Sequence, residues 1–209
     1  RSMPNAVLVG PCAIGDKSII KIGAKIYEGT SIGPVSKVGG EVEGSIIQGF
    51  SNKQHDGFLG HSYLGEWVNL GADTNTSDLK NNYGMVSAKL RGRTIPTGRQ
   101  FLGLLAADHT KTGINTMLNT GTVAGLSCNI FGAGYPEKSI RSFSWGESEV
   151  YDFAKAVEVA RVVMHRRGKE LLAEELALFE REWKLEREAP DFAVLACSCG
   201  CHGPEDHEE

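Results

Sequence analysis

The sequence predicts an all-β solenoid with a C-terminal α-helical extension, and three observations carry that prediction. Aliphatic residues recur every six positions, without a gap, at Leu8, Ile14, Ile20, Ile26, Ile32 and Val38. Glycine makes up 26 of 209 residues, about twice its usual share, which implies many tight corners. From about Glu147 onward the apolar period becomes that of an amphipathic helix.

Six is a multiple of the strand period of two and not of the helical 3.6. Each hexad therefore fits one short strand with its aliphatic side chain inward, followed by a corner where glycine is at home. Three hexads close a triangular coil of about 18 residues, and coils stack about 4.8 Å apart as parallel strands. The pattern is that of a hexapeptide-repeat parallel β-helix. Phe58, Leu64 and Leu70 keep the spacing but sit two residues out of phase, so a loop is expected to leave the coil between Val38 and Phe58. A second break, rich in Lys, Arg and Gly, spans roughly Asn81 to Gln100 before Ile114, Thr120 and Leu126 resume the period. In the tail, Val150, Phe153, Val157, Ala160 and Met164 form one apolar stripe and Leu172, Leu176, Phe179 and Trp183 another. Gly168 separates the two and Pro190 ends the second. The expected organisation is a β-helix over 1–135, a helical extension over 136–190 that caps the open end of the coil, and a flexible Cys-rich acidic tail over 191–209.

Charge and composition narrow the function. Lys and Arg total 22 against 26 Asp and Glu, a net charge of -4, which argues against a nucleic-acid binder that needs a basic surface. No apolar run approaches the roughly 18 residues that cross a bilayer, and the N-terminus has no signal-peptide layout, so a cytoplasmic protein with no membrane partner is expected. Five cysteines, an odd number, with three crowded at Cys197, Cys199 and Cys201, do not read as a disulfide framework. The chain opens at Arg1, as a piece of something longer would.

The densest polar stretch is NKQHDGFLGHSYLGEWVNLGADTNTSDLKNNYG, from Asn52 to Gly84. With RQFLGLLAADHTKTGINTMLNTGTVAGLSCNIFG and SFSWGE, it resembles the left-handed β-helix acetyltransferase half of bifunctional N-acetylglucosamine-1-phosphate uridyltransferase/glucosamine-1-phosphate acetyltransferases, in an alternative bacterial branch. The match covers about residues 5 to 165. The resemblance implies a homotrimer with its active site between subunits, where acetyl-CoA, the cosubstrate, acylates the amine of an amino-sugar phosphate such as glucosamine-1-phosphate with no metal required.

It places His55 as general base, with Glu41, 14 residues earlier, as its orienting carboxylate. An imidazole of ordinary pKa near 6.5 is largely neutral at working pH yet still accepts the amine's proton. Asn69 falls at a sugar-binding position and Ala72 where the backbone approaches the cosubstrate. Phe58 replaces a sugar-contacting tyrosine, and Asp78 replaces an asparagine that holds acetyl-CoA, which removes two donors. Lys25 keeps a positive charge where the family has arginine, while Glu43 replaces a phosphate-pairing lysine. Lys80, with Lys89, Arg91 and Arg93, is a source of replacement cations for the substrate phosphate.

Two other readings stand beside this one. The first is a non-catalytic β-helix that trimerises, or senses a sugar nucleotide for, a nucleotidyltransferase. The second is a zinc enzyme of the gamma-type carbonic anhydrase kind built on His55, His61 and His109, although His61 and His109 also fit as hydrogen-bonded corner residues. Cys197, Cys199, Cys201 and His202, with His207 nearby, read as a solvated tail before a metal site. Nothing like a glycine-rich nucleotide loop precedes Leu8, so these residues are not expected to make a nucleotide sugar.

Overall fold

The computed structural model describes residues 1–188; the cysteine and histidine cluster of the tail lies outside them. Short parallel strands stack into three ladders that form the faces of a prism. Face one carries Val7–Leu8, Lys25–Ile26, Glu41–Glu43, Phe58–Gly60, Asn75–Thr76 and Met117–Leu118. Face two is a seven-stranded ladder from Cys12–Ile14 to Ser139–Ile140. Face three runs from Ile19–Ile20 through Lys37–Val38, Asn52–Lys53 and a bridge at Asn69 to Lys111–Thr112, Asn129–Ile130 and Ser144–Trp145.

The interior is one column of aliphatic side chains per face. Ile26, Val42, Leu59 and Leu118 fill face one, Ile32, Ile47, Leu64, Ala106 and Ala124 face two, and Ile20, Val38, Leu70 and Ile130 face three, each at most 3% exposed. Removing each larger chain from water contributes roughly 1.5–3 kcal/mol. Coil stacking leaves corner N–H groups that face no strand partner, and buried hydroxyls take them. Ser18 accepts from the Ser36 N–H at 3.0 Å and Ser51 from the Val68 N–H at 3.0 Å, while Ser45 accepts from the Ser62 N–H at 3.1 Å.

Two expectations about the repeat are corrected. No loop leaves the coil between Val38 and Phe58. Val7 stacks under Lys25 at a spacing of 18, Lys25 under Glu41 at 16 and Glu41 under Phe58 at 17, so the coil keeps its course with trimmed corners. The inward residues also differ from the expected phase: Leu59 is fully buried beside a partly exposed Phe58, and Thr112, Leu118, Ala124 and Ile130 point inward while Ile114 is 73% exposed. The second break does leave the coil. An antiparallel hairpin, Val86–Leu90 with Arg93–Arg99, projects between face-one and face-two strands and lies near Val123–Ala124 and Ser139–Ile140.

The solenoid continues to Trp145, beyond the expected boundary at 135. Two helices follow, α1 (Phe153–His165), capped by Asp152 accepting from the Lys155 N–H at 3.0 Å, and α2 (Ala173–Glu188). Rather than sitting over the open end, the pair lies along the corner between faces two and three. At that corner Lys17, Val35, Phe50, Trp67, His109, Ser127 and Phe143 all have φ between +55° and +62°, a conformation that costs a non-glycine residue about 1–2 kcal/mol. The left-handed turn aims their side chains outward in a stack, with Phe50 and Trp67 face to face at 4.2 Å. The helices cover this stack: Phe179 meets the edges of His109 and Phe143, and Trp183 packs on Phe143 at 5.1 Å. Helix α1 starts beside Phe143, and just past its end Arg167 donates to the Val35 carbonyl at 2.9 Å and to Asn52 Oδ1 at 3.1 Å. Thirteen residues of helix span about 20 Å, matching about four coils at 4.8 Å each.

Candidate active site

The coil distributes the sequence-flagged residues over its corners and outer faces. His55 occupies the corner between faces three and one, in a depression of about 520 Å³ lined by Lys21, Gly40, Asp56, Ala72 and Asp73. Gly40, at φ +69°, passes directly beneath this corner: a Cβ there would stand 2.8 Å from the His55 carbonyl oxygen. Ala72 shares the depression with His55.

The His55 backbone is fixed from within. Lys53 takes an inward position on face three, where Val38 and Leu70 sit in neighbouring coils, and is 2% exposed. Its ammonium donates to the Gly39 carbonyl at 3.0 Å and the His55 carbonyl at 2.7 Å. Burial lowers its pKa to about 8, against the attraction of Asp56 and Asp73. The imidazole of His55 itself is exposed and makes no hydrogen bond among the described residues.

Glu41 lies one residue beyond Gly40, on the outer side of face one, in a column with Lys25 below and Phe58 above. Its carboxylate pairs with Lys25 at 3.1 Å, an exposed contact that raises the lysine's pKa through the hydrogen bond and the charge. The carboxylate is therefore near the His55 corner but engaged elsewhere. Asn69 is on face three and Lys80 sits at the base of the hairpin, donating to the Met85 carbonyl at 2.5 Å. Arg91 reaches Glu182 of α2 at 3.1 Å.

Asp78 forms a contact that sequence reasoning missed. At the corner between faces one and two its Oδ2 lies 2.7 Å from Nδ1 of His61. Glu43 is in the same region, its carbonyl accepting the His61 N–H at 2.9 Å. His61 and Asp78 stand 17 positions apart in the sequence and meet only once a full coil has closed. His55, His61 and His109 occupy three different corners of the coil, so within one chain they do not converge. His109 is 4% exposed between Trp67 and Phe179, and burial lowers its pKa to about 3.

The chain is 33% identical over 91 residues to a bifunctional sugar-1-phosphate nucleotidylyltransferase/acetyltransferase of Sulfurisphaera tokodaii, covering 44% of this chain and 23% of that protein. The chain is similar to this kind of bifunctional enzyme. Bifunctional protein GlmU of Methanococcus vannielii is 32% identical over 120 residues, 57% of this chain and 28% of its own length, and GlmU of Methanocaldococcus jannaschii 29% over 117 residues, 56% and 28%. The chain spans about a quarter of the length of the curated relatives it matches. A crystal structure of a proposed acetyltransferase of Bacillus cereus aligns over 90% of both chains at 16% identity and a TM-score of 0.34. No family model matches the chain. Among the described residues, no helix is long and apolar enough to cross a membrane.

Proposed function

We propose that the solenoid is an acyl-CoA-dependent N-acetyltransferase acting on an amino-sugar phosphate such as glucosamine-1-phosphate, as part of a longer protein of the sugar nucleotidyltransferase type and as a homotrimer. The observation that carries the reading is the depression at the His55 corner. It is an open concavity with an unencumbered imidazole and a backbone held by a buried ammonium, with Gly40 and Ala72 in its lining. His55 accepts the amine's proton as the nitrogen attacks the thioester carbonyl.

Glu41 orients His55 once it is released from Lys25. An exposed ion pair of this kind is weak and screened by solvent, so a substrate phosphate that claims Lys25 readily frees the neighbouring carboxylate. In this reading the substrate assembles its own base. Lys80 is a further cation for the phosphate, with Phe58 and Asn69 on the sugar and Ala72 and Asp78 toward acetyl-CoA.

The test is thiol release from acetyl-CoA with glucosamine-1-phosphate, measured for the wild type and His55→Ala in the presence of a chelator. Turnover that needs both substrates and falls at least about a hundredfold in an equally folded His55→Ala protein supports the assignment. A folded wild type that releases no thiol points instead to the non-catalytic trimerising or sensing module.

A further inference from the structure

Two carboxylate residues, Asp56 and Asp73, line the depression at the His55 corner. The Asp73 N–H donates to the Asp56 carbonyl at 3.1 Å, so the two stack at one corner on successive coils, a rise of about 4.8 Å. Asp73 takes φ +57° and is braced by Asn75, whose Nδ2 donates to the Asp73 carbonyl at 3.0 Å and to its Oδ1 at 3.3 Å, while Asn75 Oδ1 accepts the Phe58 N–H at 2.8 Å. Gly57, at φ +113°, lets the Asp56 turn lie hard against the coil above, since a Cβ there would fall 2.2 Å from the Thr74 carbonyl oxygen.

Neither carboxylate is neutralised by a contact at this corner. Lys53 attracts both from inside the coil, but its ammonium donates to the Gly39 and His55 carbonyls instead. Among the described residues the Asp56 carboxylate has no hydrogen bond or ion pair. Like charges on adjacent coils repel, and a cation between them relieves that repulsion. Lys21, two coils below His55, adds a positive charge to the same depression. Both signs of charge in one concavity of about 520 Å³ suit a small ligand that bears an ammonium and an anionic group together.

We propose that Asp56 and Asp73 are specificity-determining residues of the His55 site: they bind the acceptor as its ammonium and select an amino sugar over its hydroxyl or N-acetyl counterpart. The inference rests on the acyl-transfer reading and deepens it, with His55 remaining the proton acceptor. Asp56 follows His55 directly in the chain, so an ammonium held by this pair is in the depression that holds the imidazole. Acetylation converts the ammonium to a neutral amide. The product keeps its phosphate and loses the group the carboxylates attract, so the pair that draws the substrate in also favours release of the product.

The double variant Asp56→Asn/Asp73→Asn keeps the side-chain volumes and removes both charges. Calorimetry on the full chain, without acetyl-CoA, compares glucosamine-1-phosphate with glucose-1-phosphate. The wild type is expected to bind the amine about tenfold tighter, the scale of one hydrogen bond to a charged group, with the preference shrinking at high salt. The double variant is expected to bind the two ligands alike, with its affinity for glucose-1-phosphate unchanged. A wild type with no preference, or a folded double variant that keeps it, overturns the inference. Thiol release by the wild type separates this from the acyl-transfer reading. Turnover without an amine preference in binding leaves acetyl transfer standing and the carboxylate assignment refuted. A preference that vanishes in the double variant, in a wild type that releases no thiol, supports the carboxylates as an amine-binding pair and refutes acetyl transfer.

Discussion

Replacing Lys53 by methionine isolates the cost of holding a charge inside the coil. The side chain is 2% exposed, and burial brings its pKa from 10.5 to about 8. A difference of about two and a half units corresponds to roughly 3 kcal/mol at about 1.4 kcal/mol per unit, as an upper order of magnitude. The sign follows from proton counting. Below about pH 8 both folded and unfolded chains hold the proton, and the penalty is constant. Between about 8 and 10.5 the unfolded chain holds it and the folded chain does not, so stability rises with pH. Methionine of similar length removes the titration together with the two hydrogen bonds to the Gly39 and His55 carbonyls, and the lost bonds carry no pH dependence. Denaturant unfolding of both proteins from pH 7 to 11 should therefore show the wild type gaining up to about 3 kcal/mol on Lys53→Met across this window. Other titrating groups, such as Lys111, cancel in the difference. A stability difference independent of pH would refute the reasoning.

Further outcomes follow from other buried groups. His109, with its pKa lowered to about 3 from 6.5, binds fewer protons folded than unfolded between those values. Stability should fall as pH drops through that range, and His109→Phe should flatten the acid limb of a denaturant-midpoint profile. Leu59→Ala, at a fully buried position of face one, should cost about 2–5 kcal/mol in the same unfolding experiment, whereas Phe58→Ala beside it should cost much less because that side chain lies on the outer surface.

The legible part of the fold was its period. Leu8 to Val38 announced the coil because six uninterrupted repeats tie sequence spacing directly to one inward column per face. The misreading began where corners lose one or two residues. Val42, Ile47 and Leu59 break the count of six although the coil geometry is unchanged, because a corner absorbs a deletion that a strand cannot. The amphipathic stripes located both helices, and their partners were hidden, since His109 and Phe143 are corner residues whose outward aim depends on a left-handed φ. In the candidate site, His55 was flagged through the resemblance, and the contact of its carbonyl with a buried ammonium could not be, because Lys53 occupies a position that the repeat reserves for aliphatic residues. The contact of His61 with Asp78 spans a whole coil and has no local signature.

The helical strap changes how the molecule can come apart. In a bare stack each coil touches only its neighbours, so its ends can fray independently and the array melts in pieces. Here α1 and α2 join Val35 and Asn52 to Ser142 and Phe143, with Arg167 at one end and Glu182 at the other, where Ser142 donates to its carboxylate at 2.8 Å. Coils far apart along the axis thereby share one brace. The stretch from Val35 to Phe143 is bound into a single cooperative unit, and it encloses His55, His61 and Asp78, while the first coil, with Leu8 and Ile14 more than a third exposed, stands outside it.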